Sequence, residues 1–383
     1  MNTVDICMFV HNNVTSDSRV LKEASSLAAQ GWNLRFIGLV VDGSEWPQTE
    51  TVNDFTIIRV APRLLRRTMP GTFGKLLRLI MGIPRVIREL RSANARVYHA
   101  HDFIGLLMMA LAGIRKPIVY DSHELFFDRW SPESRYPLKH LIQLMRPLEK
   151  LLARRAVAVI TASEESADWM MKTLAIPRPI ALLNTVDVRR LGPQAATYDT
   201  GNRKKVVHSG GLYNNRHLEE LIASLAYLPD DVALILMGAG PLKQSLLRQA
   251  AELGINDRLL IVPPVPPDSV APTLAQADAS VVLVASQPLH YDLTMANKFF
   301  ESVTAGLPIV CSPTTAAARV MREYNLGILC DPSNPTLIAD AIARILQPEN
   351  QQLYRANVQQ AQNIFTWETE ERKLVALYKH LLG

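Results

Sequence analysis

The stretch NKFFESVTAGLPIVC, residues 297–311, reads as a helix running into a buried strand, with Gly306 as the helix stop. Asn297 and Glu301 stand four apart and share one face of that helix, while Phe299, Phe300 and Val303 fill the other. Free N–H groups in a helix's first turn can hold a diphosphate, with Lys298 beside them as counter-charge. A carboxylate one turn deeper can accept hydrogen bonds from both hydroxyls of a ribose. Compensation of the helix dipole would explain Glu301 alone, but not its grouping with Asn297 and Lys298.

Other strand ends carry comparable groups. KVVHSGGLYNNRHLEEL reads as strand, Gly210-Gly211, loop, Arg216, helix, and VALILMGAGPL as strand, Gly238-Ala239-Gly240-Pro241, helix. Glycine in such turns allows close backbone approach by a ligand. In the first half, ARVYHAHDF ends in His99, His101 and Asp102, and PIVYDSHELF in Asp121, His123 and Glu124. Two strand ends delivering histidines and acids to one rim suggest a site, although helix capping and loop amides are a plainer use. His99 and His101, two apart on a strand, face one side as in H-x-H zinc sites, and a hydrolase would add Asp102 or His123. No later strand offers the rest of such a set and no D-x-D pair occurs, so no metal is expected.

The elements that must position these residues alternate short β-like runs with amphipathic helices along 383 residues, too many for one ordinary core. That alternation predicts right-handed βαβ units and parallel sheets, and the runs exceed what one open sheet holds comfortably. The expected class is α/β, with two Rossmann-like, doubly wound parallel-sheet domains facing each other across a cleft. The polar, aperiodic segment 191–204 is the expected linker between domains 1–190 and 205–365, and 366–383 a final amphipathic helix returning toward the first. In such sheets ligands bind beyond the carboxyl ends of the strands.

Composition narrows the class further. Hydrophobic residues make up 48% against 20% charged, which excludes a disordered chain. Cys7, Cys311 and Cys330 lie far apart in apolar runs and form neither metal spacing nor a disulfide framework. MNTVDICMFV reads as a first strand and no run is long enough to span a bilayer, so a cytoplasmic location is expected. The net charge of +5 and pI near 9.1 point to an acidic partner.

NKFFESVTAGLPIV resembles the donor-site motif of the retaining family four glycosyltransferases, which have the GT-B fold. TSDSRVLKEASSLAAQGWNLRFIG, VYHAHD, VYDSHEL, HSGGLYNNRHLEELIAS, LILMGAGP, QADASVVLVAS and TWETEERKLVALY follow in the family's order. The resemblance implies metal-independent transfer of a sugar from a nucleotide sugar, with no cofactor. It assigns donor binding to Gly210, Gly211, Gly238, Gly240, Val265, Asn297, Lys298 and Glu301, and catalysis to His101, Arg216 and Lys298. Asp102, His123 and Glu124 fall on the acceptor side. Two departures stand: the family's second Glu is Leu293 here, and the Arg of its G-R-L turn is Gly211. A nucleotide-sugar epimerase of the same fold and a non-catalytic donor-binding subunit are the alternatives.

Residues 63–91 hold eight Arg or Lys and one Glu among Leu, Ile and Met. A solvated helix face would explain them. Basic amphipathic helices also bind anionic headgroups, which would suit a peripheral enzyme acting on a glycan or lipid-linked glycan. Nucleic acid is not expected, because Phe73 is the single aromatic available for stacking.

Overall fold

The computed structural model describes residues 3–15, 17–42, 44–62, 71–129 and 139–383. The chain divides into two compact units, Met1–Leu183 with Glu370–Gly383, and Asn184–Thr369.

The first unit opens with β1 (Ile6–Val10), α1 (Ser18–Ala28), β2 (Leu34–Leu39), β3 (Thr49–Val52) and β4 (Phe55–Val60). It continues with α2 (Gly71–Ala93), β5 (Val97–His101), α3 (Asp102–Leu111) and β6 (Ile118–Ser122). Then come α4 (Lys139–Gln143), α5 (Arg146–Ala153), β7 (Ala158–Thr161), α6 (Glu164–Met170) and β8 (Ile180–Ala181). The sheet order is β3-β4-β2-β1-β5-β6-β7-β8. Its strands pair in parallel except β3, which runs antiparallel to β4.

Strand β3 is absent from the sequence-based expectation. Its residues Thr49, Glu50 and Thr51 offer no apolar run, and the strand exists because Asn53 and Asp54, at φ 44° and 66°, turn the chain back onto β4. Positive φ at both central residues matches the twist of a hairpin. Glu50 Oε2 then sits 2.6 Å from Arg59 Nη2.

The second unit contains β9 (Lys204–Ser209), α7 (Leu218–Leu225), β10 (Val232–Met237), α8 (Lys243–Glu252) and β11 (Leu259–Val262). After these come α9 (Val270–Leu274), β12 (Ala279–Val282), α10 (Leu289–Leu293), α11 (Asn297–Thr304) and β13 (Ile309–Cys311). The rest is α12 (Thr315–Tyr324), β14 (Gly327–Leu329), α13 (Pro335–Ile345) and α14 (Pro348–Ala361). Its sheet, β11-β10-β9-β12-β13-β14, is parallel in every described pairing. With helices on both faces β10 and β12 bury every residue, which is why VALILM is apolar without alternation. Residues 191–204 pack with this unit: Gly192 N donates to Asp268 O, Ala195 N to Thr273 Oγ1, and Tyr198 is buried against Val207 and Ile235.

Helix α15 (Trp367–Leu382) starts in the second unit and belongs to the first from Glu370 onward. There it buries Leu374, Val375, Tyr378 and Leu382. Tyr378 Oη lies 2.7 Å from His99 Nδ1, and Leu183 N donates to Glu370 Oε2.

A buried acid links α5 to the sheet. The Tyr120 hydroxyl donates to Glu149 Oε1 at 2.6 Å, and burial pushes the Glu149 carboxyl up to about 7 from an ordinary 4.5. Between those values the folded chain holds a proton that the unfolded chain releases. The carboxyl's contribution is therefore complete below pH 4.5 and lost as pH rises through 7. Relative to Glu149→Gln, the wild type should lose stability across that window at no more than about 1.4 kcal/mol per pH unit in urea titrations. Parallel pH profiles for the two proteins would return the carboxyl to its ordinary range.

Candidate functional site

The carboxyl ends of β9 and β12 and the start of α11 meet in the second unit. Pairing of Val207 with Ser280 sets the two strands side by side, so that Ser209 and Gly210 emerge beside α11. The Ser209 hydroxyl donates to Glu301 Oε2 at 3.2 Å. Lys298 points inward and is only 6% exposed, with its Nζ 3.4 Å from His208 Nε2. His208 Nδ1 lies 3.1 Å from Val281 O, where only an N–H fits, so Nε2 remains an acceptor facing the lysine. A side chain at Gly210 would bring its Cβ to 3.6 Å from Lys298 Nζ, so the glycine, at φ 116°, leaves the ammonium open to that turn.

Charge in this corner is weighted to the positive, although the Glu301 carboxylate favours the Lys298 ammonium. Among the described residues, neither Lys298 nor Arg216 has a carboxylate within ion-pair distance. Burial, and then Arg216, holds the Lys298 ammonium well below its usual range, while burial lowers Arg216. His208 is likewise held far down, by burial and then by Lys298 and Arg216. Arg216 lines a pocket of about 510 Å³ with Tyr213, Asn214, Asn215, Pro241 and Tyr291. Two clustered cations against one carboxylate, Glu301, leave the corner net positive and suited to an anion. Asn297 is exposed at the helix start, and its Oδ1 accepts from Asn184 Nδ2 at 2.9 Å.

Two glycines have a packing role in the fold. A Cβ on Gly238 would stand 1.9 Å from Gly210 O, and one on Gly240 2.3 Å from Leu212 O. Both glycines let the turn after β10 lie against the turn after β9, where Leu212 N donates to Ala239 O. They shape the site through backbone packing. Gly211 lies against the Tyr213 ring, and Val265 packs on the apolar cluster around Val262 and Leu274.

The first-unit residues form a second, separate cluster. Alternation along β5 puts His99 and His101 on the face covered by α1 and α15, and both rings are fully buried. His101 stacks between Phe36 and His99, at centroid distances of 5.4 and 4.3 Å. Its Nδ1 lies 3.0 Å from His123 Nε2, which is 2.9 Å from Asp121 Oδ2. Arg19 Nη2 reaches Asp121 Oδ1 at 3.0 Å, and Arg19 Nε stands 3.0 Å from Glu23 Oε1. Burial would raise the Asp121 carboxyl, but Arg19 and His123 hold it well below the carboxylate range. Glu23 is driven well above that range by burial and then by Asp121. Asp102 takes φ 57°, a conformation costly to a residue with a Cβ, and its Oδ1 accepts from the amides of His123 and Glu124. Glu124 faces solvent.

The structure thus gathers Gly210, Arg216, Lys298 and Glu301 in one unit and His101, Asp102 and His123 in the other. Sequence reasoning missed Ser209 and His208, whose polar side chains close a buried strand. It also missed Arg19 and Glu23, whose signal was a charged i,i+4 pair on the same helix as Val20, Ala24 and Leu27.

The model of a family described as Glycosyltransferase Family 4 matches residues 18–190, and that of Glycosyl transferases group 1 matches residues 203–348. Between them they take in most of both units. The chain belongs to glycosyltransferase family four. Its family relatives include the D-inositol 3-phosphate glycosyltransferase of Corynebacterium diphtheriae, 25% identical over 74% of this chain and 70% of that protein. A GDP-mannose-dependent alpha-(1-6)-phosphatidylinositol dimannoside mannosyltransferase of Mycobacterium tuberculosis is 28% identical over 53% of this chain and 51% of its own length. A D-inositol 3-phosphate glycosyltransferase of Acidothermus cellulolyticus is matched over 29% of its length. The chain therefore spans well under two thirds of several of these relatives. Sucrose-phosphate synthase from Thermosynechococcus elongatus has the same fold, with a TM-score of 0.77 at 17% identity and 98% coverage of both chains. Anabaena HepE in complex with UDP-glucose gives 0.69 at 17% identity, covering 98% of this chain and 99% of that one. The family's GT-B architecture, two parallel-sheet α/β units, is the architecture of this chain.

In this family-four corner the depressed Lys298 gives a signed expectation. An anion favours the ammonium form, so a diphosphate that reaches Lys298 raises its pKa and binds together with protons. Titration calorimetry of UDP and GDP in buffers of different ionisation heat should show net proton uptake and weaker binding as pH rises. Lys298→Met should abolish the uptake. Binding by the wild type with no proton change would remove Lys298 from the anion site.

Proposed function

We propose that this chain transfers a sugar from a UDP- or GDP-sugar, with retention at the anomeric carbon, to a surface-polysaccharide or lipid-linked glycan acceptor. The observation that carries this reading is the convergence of Glu301, Ser209, Gly210 and Lys298 at the start of α11. In this reading Glu301 accepts from the ribose hydroxyls, and the first turn of α11 receives the diphosphate. The bond from the anomeric carbon to the phosphate oxygen breaks, and the acceptor oxygen bonds the same face. The acceptor's proton passes to the leaving phosphate. Lys298, Arg216 and the helix N-terminus stabilise the charge that develops there, so this donor chemistry draws on no metal. The nucleotide-sugar dependence named for the mycobacterial relative, and the UDP-glucose complex of HepE, support the donor class.

An acceptor held at the inner face of a membrane fits the exposed side of α2. Leu76, Ile80 and Met81 are 36, 52 and 41% exposed there, beside the exposed Lys75 and Arg88. Arg78 and Arg91 instead tie the helix to its own unit through Val41 O and Ala112 O. Residues 63–70, the remainder of the basic stretch, lie outside the described residues. No helix among the described residues is long and apolar enough to cross a membrane.

Two measurements test this reading. Glu301→Ala should weaken nucleotide-sugar binding by roughly 1.5–3 kcal/mol, the range for a charge-assisted hydrogen bond. Undiminished affinity in a direct titration would end the ribose role. Reversing Lys75 and Arg88 to Glu should cost binding to phosphatidylserine vesicles on the order of 2 kcal/mol, and salt should weaken wild-type binding. Wild-type protein that fails to co-sediment at low salt would leave α2 as a solvated face.

A further inference from the structure

Four side chains of the first unit converge on one point: Glu23 from α1, His101 at the end of β5, Asp121 in β6, and His123 just after it. One ligand atom from each lies within 4.8 Å of all the others. The separations are 2.9 Å for His123 Nε2 to Asp121 Oδ2, 3.0 Å for His101 Nδ1 to His123 Nε2, and 3.6 and 4.0 Å from His101 Nδ1 to Asp121 Oδ2 and Glu23 Oε2. Ligands about 2.0–2.1 Å from a tetrahedral Zn²⁺ stand about 3.3 Å apart, and these separations bracket that value.

Hydrogen bonding alone does not satisfy the group. His123 Nε2 has one proton or one lone pair to offer, yet it faces both Asp121 Oδ2 and His101 Nδ1. Glu23 Oε1 meets the Arg19 guanidinium at 3.0 Å, whereas Glu23 Oε2 and His101 Nε2 are buried with no hydrogen-bond partner. Unmet polar atoms at this depth are costly, and here they belong to residue types that bind metals. Glu23, His101 and Asp121 are completely buried, whereas His123 retains 12% exposure and forms the way in. Arg19 contacts Asp121 Oδ1 and Glu23 Oε1, the outer oxygens, and leaves Oδ2 and Oε2 turned toward the imidazoles. An outer partner that orients ligating carboxylates is what a metal centre requires.

We infer that Glu23, His101, Asp121 and His123 form a four-coordinate site for one divalent cation of the zinc type. Its N₂O₂ donor set, two imidazoles and two carboxylates, belongs to the borderline class that Zn²⁺ and Co²⁺ share. The ion joins α1 to the ends of β5 and β6 and has a structural role. It does not rest on the donor-side groups of the proposed transfer reaction, which lie in the other unit.

The test uses the tag-free full-length chain, dialysed against a chelator and titrated with Co²⁺ and then Zn²⁺. One equivalent of Co²⁺ should bind with the intense visible absorption of a four-coordinate centre, and Zn²⁺ should displace it. Zn²⁺ should also raise the melting temperature of the chelator-treated protein, through binding to the folded state alone. Glu23→Gln and His123→Gln should each weaken Zn²⁺ binding about a hundredfold or more. Absence of stoichiometric Co²⁺, or a weak six-coordinate spectrum, in the wild type overturns the site and leaves a proton-bridged ionic network. Unaltered Zn²⁺ affinity in a folded His123→Gln variant does so as well. The wild-type titration decides the matter even if a variant fails to fold.

Discussion

Parallel pairing of β9 with β10 on one side and β12 on the other is the constraint on which the second unit depends. It forces three strands to end at the same edge, and both sheet faces are already covered by helices. Polar side chains then have one place to emerge, the strand ends. Ser209, Gly210 and the start of α11 meet there for that reason. The same constraint demands that neighbouring turns touch, which the backbone permits only because Gly238 and Gly240 lack a Cβ. A ligand site and a packing requirement therefore occupy the same few residues.

The two units solve the problem of buried charge in opposite ways. In the second, Lys298 and Arg216 are brought together without an acid in ion-pair contact; a neutral imidazole faces the ammonium, and the Glu301 carboxylate acts on it from beyond contact. Such an arrangement holds free energy in reserve for an anion to release. In the first, Arg19 is enclosed by Asp121 and Glu23, whose remaining oxygens are turned toward the imidazoles. An unpaired buried cation costs stability, whereas one paired with acids fixes geometry.

Much of this was legible in the sequence. The strands stood out as apolar runs because parallel strands buried on both faces need them, and the helix stop at Gly306 was visible from residue type. The grouping of Asn297, Lys298 and Glu301 was readable because helical spacing is local. What failed was tertiary. Polar β3 is held by a turn and by Arg59, not by an apolar pattern. The contacts of segment 191–204, Gly192 to Asp268 and Ala195 to Thr273, lie far along the chain and left no local pattern to read. Glu23 joins His101 and Asp121 only once α1 lies over the sheet, so no spacing rule could connect them. Period two correctly put His99 and His101 on one face, but could not say that α1 and α15 would cover it.

The path of α15 has a consequence for how the protein is made. The first unit is discontinuous in sequence: Tyr378, which stacks on His99 and packs near Trp32, arrives after the whole second unit has been synthesised. Until then His99 Nδ1 lacks its phenol and the amide of Leu183 lacks the Glu370 carboxylate. The second unit, contiguous from Asn184 to Thr369, can close its core first as the chain leaves the ribosome. The first must wait with one face uncovered. Chains cut short before residue 370 would carry an exposed apolar surface of the kind chaperones and proteases recognise.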